Sequence, residues 1–276
     1  MNLREIAPDL ELGPEGWWSS PRLSDISYPK EGNDLYFSVE DTSFWFAHRN
    51  SCILEAIKLF PPPGEFFDVG GGNGYVARAI QDSGIDVVLV EPGLAGVRNA
   101  LHRGVRQVVR ATLDDAGLLA ETVPALGLFD VVEHVEDDVA FLKEINRLII
   151  PHGRVYVTVP AYQWLWSDED LLAGHYRRYT VQTLSSLLEK AGFTIDFATY
   201  FFSFIPLPIL LSRVLPYRLG FHKKKAAEDA VRANHQSDNP LVKRTLNMLT
   251  RRELSEIGRL QPLRAGGSCL AVARKG

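Results

Sequence analysis

The chain has 276 residues, 46% hydrophobic and 23% charged, which is ordinary globular composition and enough to bury a large core. The formal net charge of −4 provides no global basic field, so no nucleic acid partner is expected. The first residues lack the apolar core of a secretory signal, which predicts a cytoplasmic protein.

Two further features argue against metal or redox chemistry and against membrane insertion. Cys52 and Cys269 lie in no CxxC pair and beside no histidine at metal-ligand spacing, so both are predicted to be buried small hydrophobes and no metal site is expected. The longest apolar run, residues 201–215, is shorter than the roughly 20 residues of a membrane-spanning helix and contains Pro206 and Pro208. It is therefore not predicted to cross a membrane.

Helices and strands alternate from about residue 46 onward. Apolar runs predict strands over residues 65–69, 86–90, 105–109, 124–129, 154–160, 193–201 and 268–275. Amphipathic stretches predict helices over residues 46–60, from about 75, and over 94–103, 136–150 and 181–192, with Asp137 or Asp138 and Thr180 as N-caps. Strands that alternate with helices across short loops predict βαβ units and a parallel sheet.

The same pattern divides the chain into four segments. Residues 1–62, rich in glycine, proline and aromatic residues, are predicted to form an N-terminal cap, and residues 63–200 the α/β core. Residues 201–262 form a helical, locally basic insertion with His-Lys-Lys-Lys at 222–225, and residues 263–276 supply the final strand of the core.

The segment Asp68-Val-Gly-Gly-Gly-Asn-Gly74 joins the first core strand to the helix that follows. Gly70, Gly72 and Gly74 permit backbone angles closed to other residues and let the main chain approach a ligand. The following helix points its N-terminal amides at that ligand, which favours an anionic group. Glu91, at the end of the next strand, is placed to accept hydrogen bonds from two ribose hydroxyls. Together these features predict a nucleoside site.

The loop alone leaves the kind of nucleoside open. Gly72, Gly74 and Ala77 also satisfy the dinucleotide pattern GxGxxG/A, with an acidic residue about 20 positions after its start. A methyltransferase loop, a dehydrogenase loop and a tight structural turn without a ligand are all compatible with this segment.

Four ordered motifs resemble those of class I S-adenosylmethionine-dependent methyltransferases. Residues 66–74 and 88–92 resemble the first two motifs of that family. Residues 128–162 resemble the LFDVLEHIEDD and LKPGGRLLLTVPA stretches of a bacterial type 11/23-like subfamily, which residues 43–50, 175–180 and 268–275 also resemble. The resemblance implies a Rossmann-like α/β fold: a mostly parallel seven-stranded sheet with helices on both faces and an antiparallel C-terminal strand.

The resemblance also implies S-adenosyl-L-methionine as the cofactor and assigns its contacts. Asp68 would hold the methionine amino group while Gly70 and Gly72 pass beneath the cofactor, and Glu91 would hold the ribose diol. The other contacts are to the adenine from Thr112 and Leu113, to the methionine part from Phe129 and Asp130, and to the cofactor carboxylate from Arg49. For Arg49 an exposed salt bridge is the alternative.

Residues after the fourth and fifth core strands are candidates for the acceptor side. His175 is the leading general base and His134 the second, with packing at a helix start as the alternative for each. A base is needed only if the acceptor atom must lose a proton. Arg177, Arg178 and Tyr179 are predicted either to bind an anionic group of the substrate or to pack at the helix entrance.

The sequence therefore predicts methyl transfer to a small-molecule acceptor by direct displacement at the sulfonium. An NAD-dependent oxidoreductase and a non-catalytic methyltransferase-like binding module are the alternatives. Residues 201–225 are predicted to form a lid over the substrate, with an amphipathic segment resting on a membrane surface as the alternative.

Overall fold

The computed structural model describes residues 2–22, 24, 32–220 and 239–276. Within these residues nine strands form one sheet. They are β1 (Glu11–Leu12), β2 (Trp18–Ser19), β3 (Phe66–Val69), β4 (Val87–Val90), β5 (Gln107–Arg110), β6 (Val123–Phe129), β7 (Ile149–Pro160), β8 (Phe193–Phe201) and β9 (Ser268–Lys275).

Helices connect these strands. They are α1 (Leu3–Ile6), α2 (Gly32–Glu40), α3 (Phe44–Leu59), α4 (Tyr75–Asp82), α5 (Leu94–His102), α6 (Asp138–Leu148), α7 (Asp168–Ala173), α8 (Val181–Lys190), α9 (Pro206–Ile209), α10 (Leu215–Arg218) and α11 (Pro240–Gly258). A π-helical turn, Leu210–Val214, joins α9 to α10, and 3₁₀ turns lie at Val132–His134 and Gln163–Leu165.

The strand order is β1-β2-β5-β4-β3-β6-β7-β9-β8. From β5 to β8 this is a seven-stranded sheet in which β9 alone runs antiparallel to its two neighbours, so the predicted Rossmann-like fold is confirmed. The short β1 and β2 extend the sheet beyond β5 and were not predicted. A two-residue strand is too short to show an alternating hydrophobic pattern.

Two hydrophobic clusters cover the two faces of the sheet. Neighbouring residues of a strand point to opposite faces, so Phe66 and Phe67 belong to different clusters. Phe66 packs with residues of α3, α4 and α11, including Ile53 and Ile80, whereas Phe67 lies in the cluster that includes Leu142 of α6. Burial on both faces explains why these strands are almost wholly apolar.

The observed helix caps and strand bounds agree closely with those predicted from the sequence. Asp137 accepts a hydrogen bond from the amide of Ala140 at 2.9 Å, and Thr180 accepts one from the amide of Thr183 at 3.1 Å. The largest difference is in β7, which begins at Ile149 instead of the predicted residue 154, because its ladder with β6 already pairs Ile149 with Val123.

The segment after β8 folds back onto the protein. Its buried residues Ile209 and Val214 join the core, the guanidinium of Arg213 forms an ion pair with Glu169 of α7, and Arg218 donates to the carbonyl of Trp164 at 3.2 Å. The opposite face carries exposed leucines at positions 207, 211, 215 and 219.

Residues 222–225, the basic part of the predicted lid, lie outside the described residues. Among the residues that are described, no helix is long and apolar enough to cross a membrane.

Candidate active site

The glycine loop lies where β3 ends, at the centre of the sheet. Gly70, Gly72 and Gly74 have φ values of +69°, +52° and +74°, a region that side-chain-bearing residues rarely adopt. A Cβ on Gly70 would also lie 2.7 Å from a methyl carbon of Val131. The loop therefore requires glycine both for its backbone angles and for its close approach to neighbouring elements.

Glu91 follows β4 and is buried beside this loop. Its Oε2 accepts the amide of Gly72 at 2.9 Å and its Oε1 accepts the amide of Gly93 at 2.7 Å. Burial raises the pKa of Glu91, and the two amides oppose that rise. A carboxylate has about four acceptor sites, so Glu91 can receive two ligand hydroxyls beside the two amides if the long contact of 3.5 Å from the side chain of Asn33 gives way.

Asp68, near the end of β3, is also buried, with 1% of its surface exposed. The amide of Ala77 donates a hydrogen bond to its carboxyl group, whereas its Oδ2 has no partner among the described residues. Burial raises the pKa of Asp68 to about 7, with the charge of Arg49 acting in the opposite direction. A buried carboxylate oxygen without a donor is suited to a ligand that brings a cationic group.

Helix α2 forms a wall of the site that the sequence did not predict. The amide nitrogen of Asn33 lies 3.5 Å from Oε1 of Glu91. The side-chain amide of Asn73, in the glycine loop, donates to the carbonyl of Asn33 at 2.8 Å and to Glu40 at 3.0 Å. Arg103, the residue directly after α5, completes the connection through an ion pair of 2.8 Å with Glu40. No local pattern marks Asn33, because its partner Glu91 is 58 positions away.

The predicted adenine contacts lie in the turn after β5. The hydroxyl of Thr112 donates to Asp115 at 2.8 Å and accepts the Asp115 amide at 3.1 Å, which closes a local turn. Leu113 is buried in the core cluster. Cofactor contact from both residues stays a prediction.

Arg49, Phe129 and Asp130 meet at the end of β6. The Nε of Arg49 lies 2.9 Å from Oδ2 of Asp130, and its Nη2 donates to the carbonyl of Phe129 at 3.1 Å. The ring of Phe129 packs near that of Phe66, with centroids 6.2 Å apart. Arg49 thus makes a salt bridge, as its predicted alternative requires, but its side chain is only 12% exposed. Contact with a cofactor carboxylate stays a prediction.

The two candidate histidines come together although 41 positions separate them in the chain. Their rings lie edge to face with centroids 4.8 Å apart. Nδ1 of His175 lies 2.9 Å from Oδ1 of Asp170, a buried carboxylate. Burial, together with the neighbouring His175, lowers the pKa of His134 to about 4, so His134 is neutral at pH 7. Glu133 lies beside both, and its burial raises its pKa well above the usual range.

The three candidate substrate residues make contacts within the protein. Arg178 binds Asp170 through Nε at 2.7 Å and Nη2 at 3.0 Å. Arg177 lies 2.7 Å from Oδ2 of Asp138, which also accepts the hydroxyl of the buried Tyr179 at 2.8 Å. These contacts support the loop that carries His175, and a role in substrate binding stays a prediction.

Known proteins with similar sequences match part of the chain. A Mycolicibacterium smegmatis protein named "Probable S-adenosylmethionine-dependent methyltransferase" is 26% identical over 171 residues, which cover 61% of this chain and 66% of that protein. A similarly named Mycobacterium tuberculosis protein is 26% identical over 183 residues, which cover 65% of each. The chain thus spans slightly less than two thirds of the length of either relative.

A solved structure supports the fold. A SAM-dependent methyltransferase of Thermotoga maritima superposes with a TM-score of 0.55 and 17% sequence identity, over 90% of this chain and 97% of that one. A family model described as a methyltransferase domain matches residues 46–196, more than half of the chain. The family predicted from the motifs is thereby confirmed: the chain belongs to the methyltransferase domain family.

Proposed function

We infer that the protein transfers a methyl group from S-adenosyl-L-methionine to a small-molecule acceptor. The observation that carries this inference is the buried pair of acids on either side of the glycine loop. Glu91 is held by two backbone amides, and Oδ2 of Asp68 has no donor among the described residues. A nucleoside with a diol at one end and an ammonium group at the other complements both.

Asp68, the glycine loop and Glu91, together called the cradle, would each contact a different part of the cofactor. Glu91 would accept the ribose hydroxyls and Asp68 the amino group of the methionine part, while Gly70 and Gly72 allow close approach. Arg49, 2.9 Å from Asp130, would exchange part of that contact for the cofactor carboxylate. When bound, the cofactor supplies an electrophilic methyl group on a positively charged sulfur.

The chain's own contribution to the displacement would be alignment and exclusion of water. His134 lies in the turn after β6, and the ring of His175 packs against it. We propose that the acceptor approaches Asp68 and Glu91 from this side. Either imidazole could take the proton of an acceptor hydroxyl or amine if that proton must leave. The helices after β8 would close over the acceptor as a lid.

Mutation of Glu91 tests the cofactor assignment. Glu91→Ala should weaken S-adenosylhomocysteine binding by about 1.5 to 3 kcal/mol, because a carboxylate that accepts two hydroxyls is lost. Asp68→Ala should lose more, since it also disturbs the cap of α4. Equilibrium dialysis with labelled ligand measures both variants. The exposed Glu121→Ala is the matched control and should bind like the wild type. Unchanged affinity in Glu91→Ala would remove that residue from the site.

Hydrogen exchange tests the lid. Residues 206–218 should gain protection when cofactor and acceptor bind, because closure holds this segment against α7. Protection that develops only on addition of anionic vesicles would favour the membrane-surface alternative, for which the exposed leucines are suitable.

A further inference from the structure

Three side chains with metal-ligating atoms converge where β6 ends: Glu133, His134 and His175. One such atom from each lies within 4.8 Å of the others. The glycine loop is close in the chain fold: Val131, two residues before Glu133, has a methyl carbon 2.7 Å from where a Cβ of Gly70 would lie. The expectation of no metal site rested on the cysteines, which take no part in this cluster.

The carboxylate of Glu133 is the most unusual member. The residue is 1% exposed, and neither carboxylate oxygen has a hydrogen-bond partner in another of the described residues, although its own backbone amide acts on it as a donor. Buried polar groups in proteins are almost always paired, since an unpaired one costs the free energy of its desolvation. A cation bound between these side chains would supply the missing partner.

Both histidines are already oriented by a hydrogen bond on one nitrogen. Nδ1 of His175 faces Oδ1 of Asp170 at 2.9 Å, and Asp170 is itself fixed by Arg178 at 2.7 Å. Nε2 is therefore the nitrogen of His175 that can ligate. The carbonyl of Gly174 accepts a hydrogen bond from His134 and fixes that ring in the same way. Carboxylate and carbonyl partners behind ligating histidines are the usual support of a metal site.

The charges around the cluster also favour a cation. The two nearest guanidinium groups are each paired with a carboxylate: Arg49 with Asp130 at 2.9 Å and Arg178 with Asp170 at 2.7 Å. Among the described residues the carboxylate of Glu133, by contrast, forms no such ion pair, so it is the acid of this group that is left to meet a cation.

We propose that Glu133, His134 and His175 bind one divalent first-row transition cation. Mixed imidazole and carboxylate donors suit such ions, and three protein ligands leave coordination positions open. Ligand atoms around a bound ion lie roughly 3 to 4 Å apart, so modest side-chain rotations close the observed cluster. The metal site is inferred from the positions of these three side chains alone. The further idea that the bound cation holds oxygen atoms of the methyl acceptor rests on the proposed function.

Cobalt titration tests the site directly. The full chain, stripped with a chelator, should bind one Co²⁺ per molecule with visible absorption bands from imidazole and carboxylate ligation, and Zn²⁺ should displace it more readily than Mg²⁺. Glu133→Gln and His175→Gln should each weaken Co²⁺ binding by more than about 100-fold, and Asp170→Asn by about 10- to 100-fold through the orientation of His175.

Two controls separate this site from others. Glu136→Gln, at an exposed position three residues from Glu133, should bind Co²⁺ like the wild type. Cys52→Ala, which alters the buried cluster of His48, Cys52 and Glu253, should also leave binding unchanged. A folded His175→Gln protein covers the case in which Glu133→Gln does not fold.

Three results would overturn the site: no stoichiometric Co²⁺ binding by the wild type, wild-type binding by folded Glu133→Gln or His175→Gln, or loss of binding in Cys52→Ala. Parallel titration with S-adenosylhomocysteine keeps the two proposals apart. If the protein binds S-adenosylhomocysteine but no metal, only the proposed metal site is overturned. If it binds Co²⁺ but no S-adenosylhomocysteine, the metal site is supported and the proposed function fails.

Discussion

Glu253 and Glu133 are both buried glutamates with a histidine beside them, but their surroundings differ. Glu253 accepts hydrogen bonds from the amides of Phe202 at 2.6 Å and Ser203 at 2.8 Å, and lies 2.7 Å from Nε2 of His48. Glu133 has no hydrogen-bond partner for its carboxylate in another of the described residues. The same residue type is thus fully paired in one region and unpaired in the other.

This difference indicates that the cluster around Glu253 is structural, whereas the cluster around Glu133 is suited to a ligand. Burial alone would raise the pKa of both glutamates, but the hydrogen bonds from His48 and Ser203 outweigh it and lower the pKa of Glu253. The pKa of Glu133 stays well above its usual range. Ionised Glu253 therefore stabilises the fold, whereas ionised Glu133 destabilises it until a ligand arrives.

The largest expected effect is on turnover. His175→Ala should lower methyl transfer per folded molecule by about 10²- to 10⁴-fold, whether the imidazole accepts a proton or ligates an activating cation. Affinity for S-adenosylhomocysteine should change little. An assay with an identified acceptor, normalised to the folded fraction by circular dichroism, measures this. If His175→Ala keeps full turnover per folded molecule, His175 is not the base. His134 is then the remaining candidate, or the reaction needs no base.

The next largest effect is on stability, in the paired cluster. Glu253→Ala should lower the free energy of unfolding by about 3 to 5 kcal/mol, because the amides of Phe202 and Ser203 and the buried His48 lose their acceptor. Urea denaturation gives the value. Glu256→Ala, on the same helix, should change it by less than about 1 kcal/mol. A loss from Glu253→Ala as small as that of the control would contradict the structural role.

The pH dependence of cofactor binding should be smaller and should report Asp68. Its pKa of about 7 means that it is largely protonated below that pH and cannot pair with an ammonium group. Affinity for S-adenosylhomocysteine should rise by up to about tenfold per pH unit below 7 and level off above it. Asp68→Asn should bind weakly at every pH. A pH-independent wild type would argue against contact between Asp68 and the amino group.

The smallest expected effect is the stability change in Glu133→Gln. With no hydrogen bond to another residue to lose, this variant should unfold within about 1 kcal/mol of the metal-free wild type at acidic pH. Because the folded pKa of Glu133 is raised, the stability of the wild type should fall relative to the variant as pH rises from the unfolded value of 4.5. Denaturation at several pH values measures this. If Glu133→Gln instead loses stability relative to the wild type as pH rises, the ionised carboxylate of Glu133 has a stabilising partner, which would contradict this prediction.

The parts of the molecule that the sequence predicts are those specified locally. The strands, the glycine loop and the Thr180 cap follow from patterns a few residues long. The supporting contacts are not local: His48 meets Glu253 across 205 positions, and Asn33 meets Glu91 across 58. The sequence could therefore name His134 and His175 as candidates, but only the fold brings them together with the unpaired carboxylate of Glu133.

The most direct test of the account is a calorimetric titration of the purified full chain with S-adenosylhomocysteine and, separately, with NAD. The cradle of Asp68, the glycine loop and Glu91 should bind S-adenosylhomocysteine at one site per chain and NAD far more weakly. Tight binding of NAD without binding of S-adenosylhomocysteine would contradict the assignment and favour an oxidoreductase.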